Sequence, residues 1–356
     1  MKLLYVTRHF NHSGYVILER LLREGFRIEA VLLHRDRNPW RRPWMRPFLL
    51  AGYRTKCAWY RCRPLKTVAS EELLAKEHGI PTLLVDSIKD DFCFAAIKSL
   101  APDLIVLGGG WHELLPERIY ALPPLGCINT HPSLLPEFRG TSITRWQVLH
   151  GVDRSGSVIH CVDAHFDAGS VLAVKEIPVH EQMTPQELFL ALAYAGADLM
   201  PILLRAFKRT GPQSSFLRTG DSRYCRYFGR WSWNYEDLRI DWSRTLRDIH
   251  FHVLANTQES YEHAGPWFVL RGKRYILRIT RLHVPTHIGT VASSAKSDVL
   301  RVTGSSNGSL FLQRQGDPHV LELVQMQRDD GFRKLRRAHP VASILRLSAN
   351  EVFAPE

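Results

Sequence analysis

Five short apolar runs rich in β-branched residues punctuate the first 130 positions, KLLYVT (2–7), RIEAVLLH (27–34), IPTLLV (80–85), LIVLGGG (104–110) and GCINTH (126–131). Helical patterns separate them, chiefly VILERLLREG, TVASEELLAKEHG with Ser70 as its cap, and DDFCFAAIKSLAPD. Strands that alternate with amphipathic helices have few ways to bury both faces, and the spacing predicts an α/β fold with a doubly wound, mostly parallel sheet. A strand SGSVIHCVD, a loop AHFDAG, a strand SVLAVKEIPV and a helix TPQELFLALAYAGADLMPILLRAFKRTG follow, with Thr184 as cap, Pro185 at its first position and Gly211 as its stop.

The polar, arginine-rich and aromatic stretch that comes next reads as a linker. Beyond it lie an amphipathic helix, DWSRTLRDIHFHVLAN, and the alternating segments WFVLRGKRYILRITRL, VLRVTG, SLFLQRQ and HVLELVQMQ, which suit a small β-barrel or sandwich. The organisation expected is a domain over 1–211, a linker over 212–238, and a C-terminal domain over 239–356 with a helix and a small OB-like barrel.

At 356 residues, 45% apolar and 23% charged, the chain has material for two packed cores. It lacks a leader-like start and any run of 18 uninterrupted apolar residues, so no transmembrane segment is expected and a cytoplasmic location is. Six cysteines are scattered without C-x-x-C pairs or zinc spacing, the pattern of free thiols, and no metal is expected. Of the net charge of +12, a surplus of nine falls within 34–66, where ten Lys or Arg meet one acid and six aromatics are interleaved. Such a segment suits a phosphate-bearing partner, and equally a solvated or membrane-surface face.

Neither G-x-G-x-x-G nor G-x-x-x-x-G-K is present, which sets aside dinucleotide and Walker chemistry. The chemistry-bearing stretch is NTHPSLLPEFRG (129–140). Period two puts Asn129 and His131 on one side of a strand that Pro132 then ends, at the edge where open α/β sheets bind ligands. A satisfied turn is the plain alternative. Asp167, thirty-six residues beyond His131 in DAHFDAG, completes a set able to perform acyl transfer without metal or covalent nucleophile.

GCINTHPSLLPEFRG followed by DAHFDAG resembles the formyltransferases that use 10-formyltetrahydrofolate, which share N-x-H-x-S-L-L-P-x-x-R-G and a later D-x-x-x-D-x-G loop. The resemblance spans roughly residues 1–210, and RIDWSRTLRDIHFHVLAN (239–256) is similar to the helix opening the C-terminal domain of methionyl-tRNA formyltransferase and of sugar-nucleotide formyltransferases built like it. It implies that Asn129 donates to the formyl oxygen, a contact whose loss typically costs about 3 kcal/mol of transition-state stabilisation. It implies that His131 holds the tetrahedral intermediate and shuttles a proton towards N10, and that Asp167 orients His131 and raises its basicity. Ser133, Leu134, Leu135 and Pro136 match the family's folate-contacting turn. The backbone at Gly108, Gly109 and Gly110, and that of the loop from Asp163 to Asp167, would flank the pterin. Asp163 is read as a strand-end cap or a backbone folate contact, Arg139 as either an anchor or a surface residue, and His112 and His160 as structural.

The cosubstrate implied is 10-formyltetrahydrofolate, and the acceptor is an amine. RHFNHSG (8–14) stands where the tRNA enzymes show G-T-P, and RGTSITRW where they read R-G-A-A-P, which favours a small or nucleotide-linked amine such as an amino sugar. Methionyl-tRNA, gripped by the basic segment 34–66, is the alternative acceptor. A non-catalytic nucleic-acid interaction module and a formylfolate hydrolase are the remaining readings.

Overall fold

The computed structural model describes residues 1–9, 11–34, 70–210, 223–229, 236–256, 265–284, 299–329, 339–348 and 351–355. The basic segment beyond His34, Cys57, Cys62, Gly211 and most of the expected linker lie outside these residues. Two compact units are interleaved along the chain. One gathers Met1–Ile143, Arg154–Pro178 and Glu187–Gly229, and the other Thr144–Asp153, Val179–Gln186 and Arg230–Glu356.

The first unit is built on β1 (Leu3–Arg8), β2 (Ile28–His34), β3 (Thr82–Val85), β4 (Leu104–Leu107) and β5 (Cys127–His131). All of these pair in parallel, and β7 (Arg154–Cys161) and β8 (Val171–Pro178) add an antiparallel edge, in the order β3-β2-β1-β4-β5-β7-β8. Two-residue β6 (Arg139–Gly140) and β9 (Tyr227–Phe228) form a separate parallel ribbon. Alternation along β1 sends Leu3 and Tyr5 to one face and Leu4 and Val6 to the other. The first face is covered by α1 (His12–Arg23), α2 (Glu71–Glu77) and the long α6 (Pro185–Thr210). The second is covered by α3 (Asp91–Leu100) and α4 (Glu117–Tyr120). By length and composition α6 could cross a bilayer, yet Ala193, Ala197, Met200, Leu204 and Phe207 are buried in the first core. The sheet is therefore doubly wound, as the alternation predicts.

Local signals account for the helix starts. The Asn11 side chain accepts from the Gly14 amide at 3.0 Å to cap α1, and the Ser70 hydroxyl accepts from Leu73 at 3.3 Å to cap α2. The glycines at 108–110 have an internal reason: a Cβ on Gly108 would lie 1.8 Å from the Tyr5 hydroxyl, and one on Gly110 1.6 Å from Asn11 Nδ2. Tyr5 is fully buried and donates to the Gly14 carbonyl at 2.7 Å, so it cannot swing aside. Gly108→Ala should cost roughly 2–3 kcal/mol of stability. Urea unfolding checks this, and an unchanged midpoint would contradict the packing.

The second unit carries α7 (Leu246–Asn256) against an antiparallel sheet ordered β10-β11-β14-β13-β12-β16. These strands are β10 (Trp267–Leu270), β11 (Lys273–His283), β12 (Leu300–Ser306), β13 (Ser309–Arg314), β14 (Val320–Arg328) and β16 (Val352–Phe353), with β15 (His339–Pro340) paired to β14. Arg271 and Gly272, both at positive φ, close the tight turn between β10 and β11. Its core packs Ile249 and Val253 of α7 on Phe268, Leu277, Leu310, Leu312, Leu321 and Leu323. The four alternating segments read from the sequence are these strands.

Candidate active site

Strand β1 continues to β2 on one side while β4 lies on the other, so the chain's direction of winding reverses between β1 and β4. One strand further, the carboxyl end of β5 presents Asn129 and His131 on a common face. Register fixes this, since Asn129 lies opposite His160 and His131 opposite Val158 on β7. The loop after β7 then brings Asp167 to them.

Asp167 takes a left-handed φ of 51°, uncommon for a residue with a side chain and typical of positions held by their surroundings. Gly169 lets the loop return against β7, because a Cβ there would lie 1.9 Å from the Cys161 carbonyl. Arg139 donates through Nε and Nη2 to the Phe166 carbonyl at 3.2 and 2.8 Å, and the Gly140 amide donates to Asp167 Oδ2 at 2.9 Å. Arg139, readable as an anchor or as a surface residue, is in fact a clasp on the loop that carries the carboxylate.

The other carboxylate oxygen serves three groups. His131 Nδ1 lies 3.4 Å from Asp167 Oδ1, Asn129 Nδ2 donates to it at 3.4 Å, and His160 Nε2 is 3.6 Å away. On its far side His131 Nε2 donates to the Phe138 carbonyl at 2.9 Å. Both imidazole nitrogens of His131 thus face acceptors, which suits the cation. Burial works against that charge, but the Asp167 carboxylate, with help from the Phe138 carbonyl, outweighs it and holds the imidazole above its ordinary value. Burial likewise opposes the Asp167 charge, and the His131 imidazole beside it overcomes that, holding the carboxyl well below the usual range.

The signs predict a pH signature. The raised His131 contributes stability in full below the ordinary histidine value of about 6.5 and loses it as pH climbs through the raised value. The depressed Asp167 contributes above the ordinary aspartate value of about 3.9 and loses it only as pH falls towards its own. Asp167→Asn should therefore be less stable than the native chain by a margin greatest near pH 5 and narrowing in alkali. Urea midpoints across pH check this, and a margin that grows with pH would contradict it.

The turn matched to a folate contact is directed inward. The Ser133 hydroxyl, fully buried, donates to the Glu137 carbonyl at 2.7 Å. Leu134 lies against Gly156, and Leu135 packs with Val158 and Val171. What this turn offers a ligand is its backbone and the half-buried Pro136. Asp163 caps the loop, its carboxylate accepting from the His165 amide at 2.9 Å. His112 packs edge-on to His34 with ring centres 4.4 Å apart. His160, read as structural, instead sits among the site residues. The period-two alternation of SVIHCVD puts His160 on one face of β7, and the pairing register sets it opposite Asn129. Among the described residues no group of His, Cys, Asp and Glu could hold a metal ion.

The sequence and the fold are similar to those of known proteins. The formyl transferase family profile matches residues 72–204. The methionyl-tRNA formyltransferase of Nitrobacter hamburgensis is 33% identical over 252 residues, which is 67% of this chain and 75% of that protein. That of Syntrophus aciditrophicus is 35% identical over 191 residues, 54% of this chain. The chain belongs to the formyltransferase family. The aligned regions span 53% and 57% of the relatives from Syntrophus aciditrophicus and Macrococcus caseolyticus.

Solved structures share the fold. WlaRD, a sugar 3N-formyl transferase crystallised with dTDP and 5-N-formyl-THF, superimposes with a TM-score of 0.58 over 93% of this chain and 99% of its own, at 13% identity. The N-formyltransferase from Helicobacter canadensis, in complex with folinic acid and dTDP-3-aminofucose, gives 0.58 over 92% and 100%, at 14% identity.

Proposed function

We propose that this protein moves the formyl group of 10-formyltetrahydrofolate to a primary amine carried by a small or nucleotide-linked acceptor such as an amino sugar. The supporting observation is the convergence of Asn129, His131 and Asp167 around one carboxylate oxygen at the carboxyl end of β5. The acceptor nitrogen attacks the formyl carbon, a C–N bond forms, and the carbonyl oxygen becomes an oxyanion. An Asn129 Nδ2–H and the charged His131 stabilise it, which is where preorganised donors act most strongly. The His131 Nε2–H is anchored on Phe138, so the mobile proton is that on Nδ1, held more loosely at 3.4 Å. As the C–N10 bond breaks, this proton passes to N10, and His131 regains one from the acceptor nitrogen, with Asp167 holding the charge throughout. An acceptor N–H becomes N–CHO and N10 gains its hydrogen.

A small acceptor is supported by the departures at 8–14 and 139–146 from the tRNA-enzyme pattern. The tRNA reading is favoured by the names of the sequence relatives and by the basic segment 34–66, which lies outside the described residues. Incubation with 10-formyltetrahydrofolate and a panel of amino-sugar nucleotides, small amines and charged initiator tRNA, read by mass spectrometry, separates the readings. A formylated small amine supports the proposal. Formylation of tRNA alone overturns the choice of acceptor, formate without a formylated product makes water the acceptor, and no turnover at all overturns the activity.

A further inference from the structure

His160 is 2% exposed, and each of its ring nitrogens has a defined partner. Nδ1 lies 2.7 Å from the Cys161 carbonyl, which can only accept, so Nδ1 carries a hydrogen. Nε2 lies 3.1 Å from Asn129 Nδ2. In the neutral ring this nitrogen has a free lone pair and accepts from the carboxamide. The opposite amide orientation would set Asn129 Oδ1 against that lone pair, and close to the Asp167 carboxylate that Nδ2 now faces at 3.4 Å. One imidazole therefore decides which end of Asn129 faces which way. A carboxamide is otherwise free to rotate by half a turn, and the wrong orientation presents an acceptor where an oxyanion needs a donor.

We propose that His160 is a positioning residue that aims the Asn129 carboxamide, its Nε2 lone pair holding one Nδ2 hydrogen while the other, set on Asp167 at 3.4 Å, is the one that turns to the formyl oxygen. The inference rests on the formyl-transfer reading above. The charged groups facing His160 are Asp167 from the loop and His131 from β5, whose ring centre is 6.4 Å from its own.

Steady-state kinetics of the native chain, His160→Phe, His160→Gln and Asn129→Ala test this, using the panel acceptor that is formylated. His160→Phe fills the space without an acceptor and should lower kcat by about tenfold to a hundredfold, with the KM for 10-formyltetrahydrofolate changed less than about threefold. His160→Gln keeps an acceptor oxygen for the carboxamide, so it should recover most of kcat. The inference is overturned if His160→Phe stays within about twofold of the native kcat, or if both variants fall alike, as a space-filling role requires. Either result, with a native chain that turns over and an inert Asn129→Ala, leaves the formyl-transfer reading standing. An inactive native chain removes that reading itself.

Discussion

Replacing His131 by alanine is expected to lower kcat by about a thousandfold while leaving the affinity for 10-formyltetrahydrofolate within about tenfold. The imidazole is 3% exposed and wedged between a carbonyl and a carboxylate. Under the proposed function it would supply both a charge against the oxyanion and a proton, and the variant loses both. Its removal also strands Asp167 as a buried carboxylate with one fewer partner, so its pKa should rise and the variant should lose stability above the ordinary aspartate range. Equilibrium binding and single-turnover rates separate the two effects. A variant that binds folate normally and transfers at the native rate would contradict the assignment.

Gly140→Ala is expected to reach the same site from behind. Gly140 has a φ of 115°, and a Cβ would lie 2.0 Å from the Phe228 carbonyl. Beside it, the Phe138 amide donates to Tyr224 O at 2.9 Å and the Thr141 amide to Phe228 O at 3.0 Å. The Phe138 ring stacks on Tyr224 and Phe228 at 4.7 and 5.0 Å. This strap holds both backbone groups that fix the proposed catalytic residues, namely the Phe138 carbonyl on His131 and the Gly140 amide on Asp167. A methyl group at 140 must push β9 away or move β6. Strain and overpacking together should cost roughly 3 kcal/mol, and kcat should fall by about a hundredfold. Gly229→Ala, with nothing within 4 Å of its Cβ and no positive φ, is the control and should be neutral. Equal stability and activity of the two variants would show that the strap does not support the site.

The alternation of apolar runs and helices sufficed for the doubly wound sheet, because parallel strands buried on both faces leave a strong local pattern. Period two placed Asn129 and His131 together for the same reason. Asp167 was a different matter. Nothing local links it to a strand thirty-six residues away; its place in a loop between two strands made it a candidate, and the resemblance of DAHFDAG favoured it over Asp163. The inward turn of Ser133, Leu134 and Leu135 was not legible, since a motif's match does not say which side of a turn meets the core. The strap at 227–228 lay inside the expected linker 212–238. A two-residue strand has no periodicity to detect, and its partner β6 is equally short. His160 was visible in the alternation of β7, but a histidine in an apolar strand is ordinarily a satisfied core residue, and only the pairing register shows it opposite Asn129.

The most direct test of the whole account is a crystal structure of this protein with 5-formyltetrahydrofolate, the stable isomer of the proposed cosubstrate. The account predicts the pterin at the carboxyl ends of β4 and β5, with the formyl group adjacent to Asn129 Nδ2 and His131 and donor distances of about 3 Å once the reactive isomer's geometry is imposed. A folate bound elsewhere, or a formyl group screened from Asn129 and His131 by protein atoms, would contradict it.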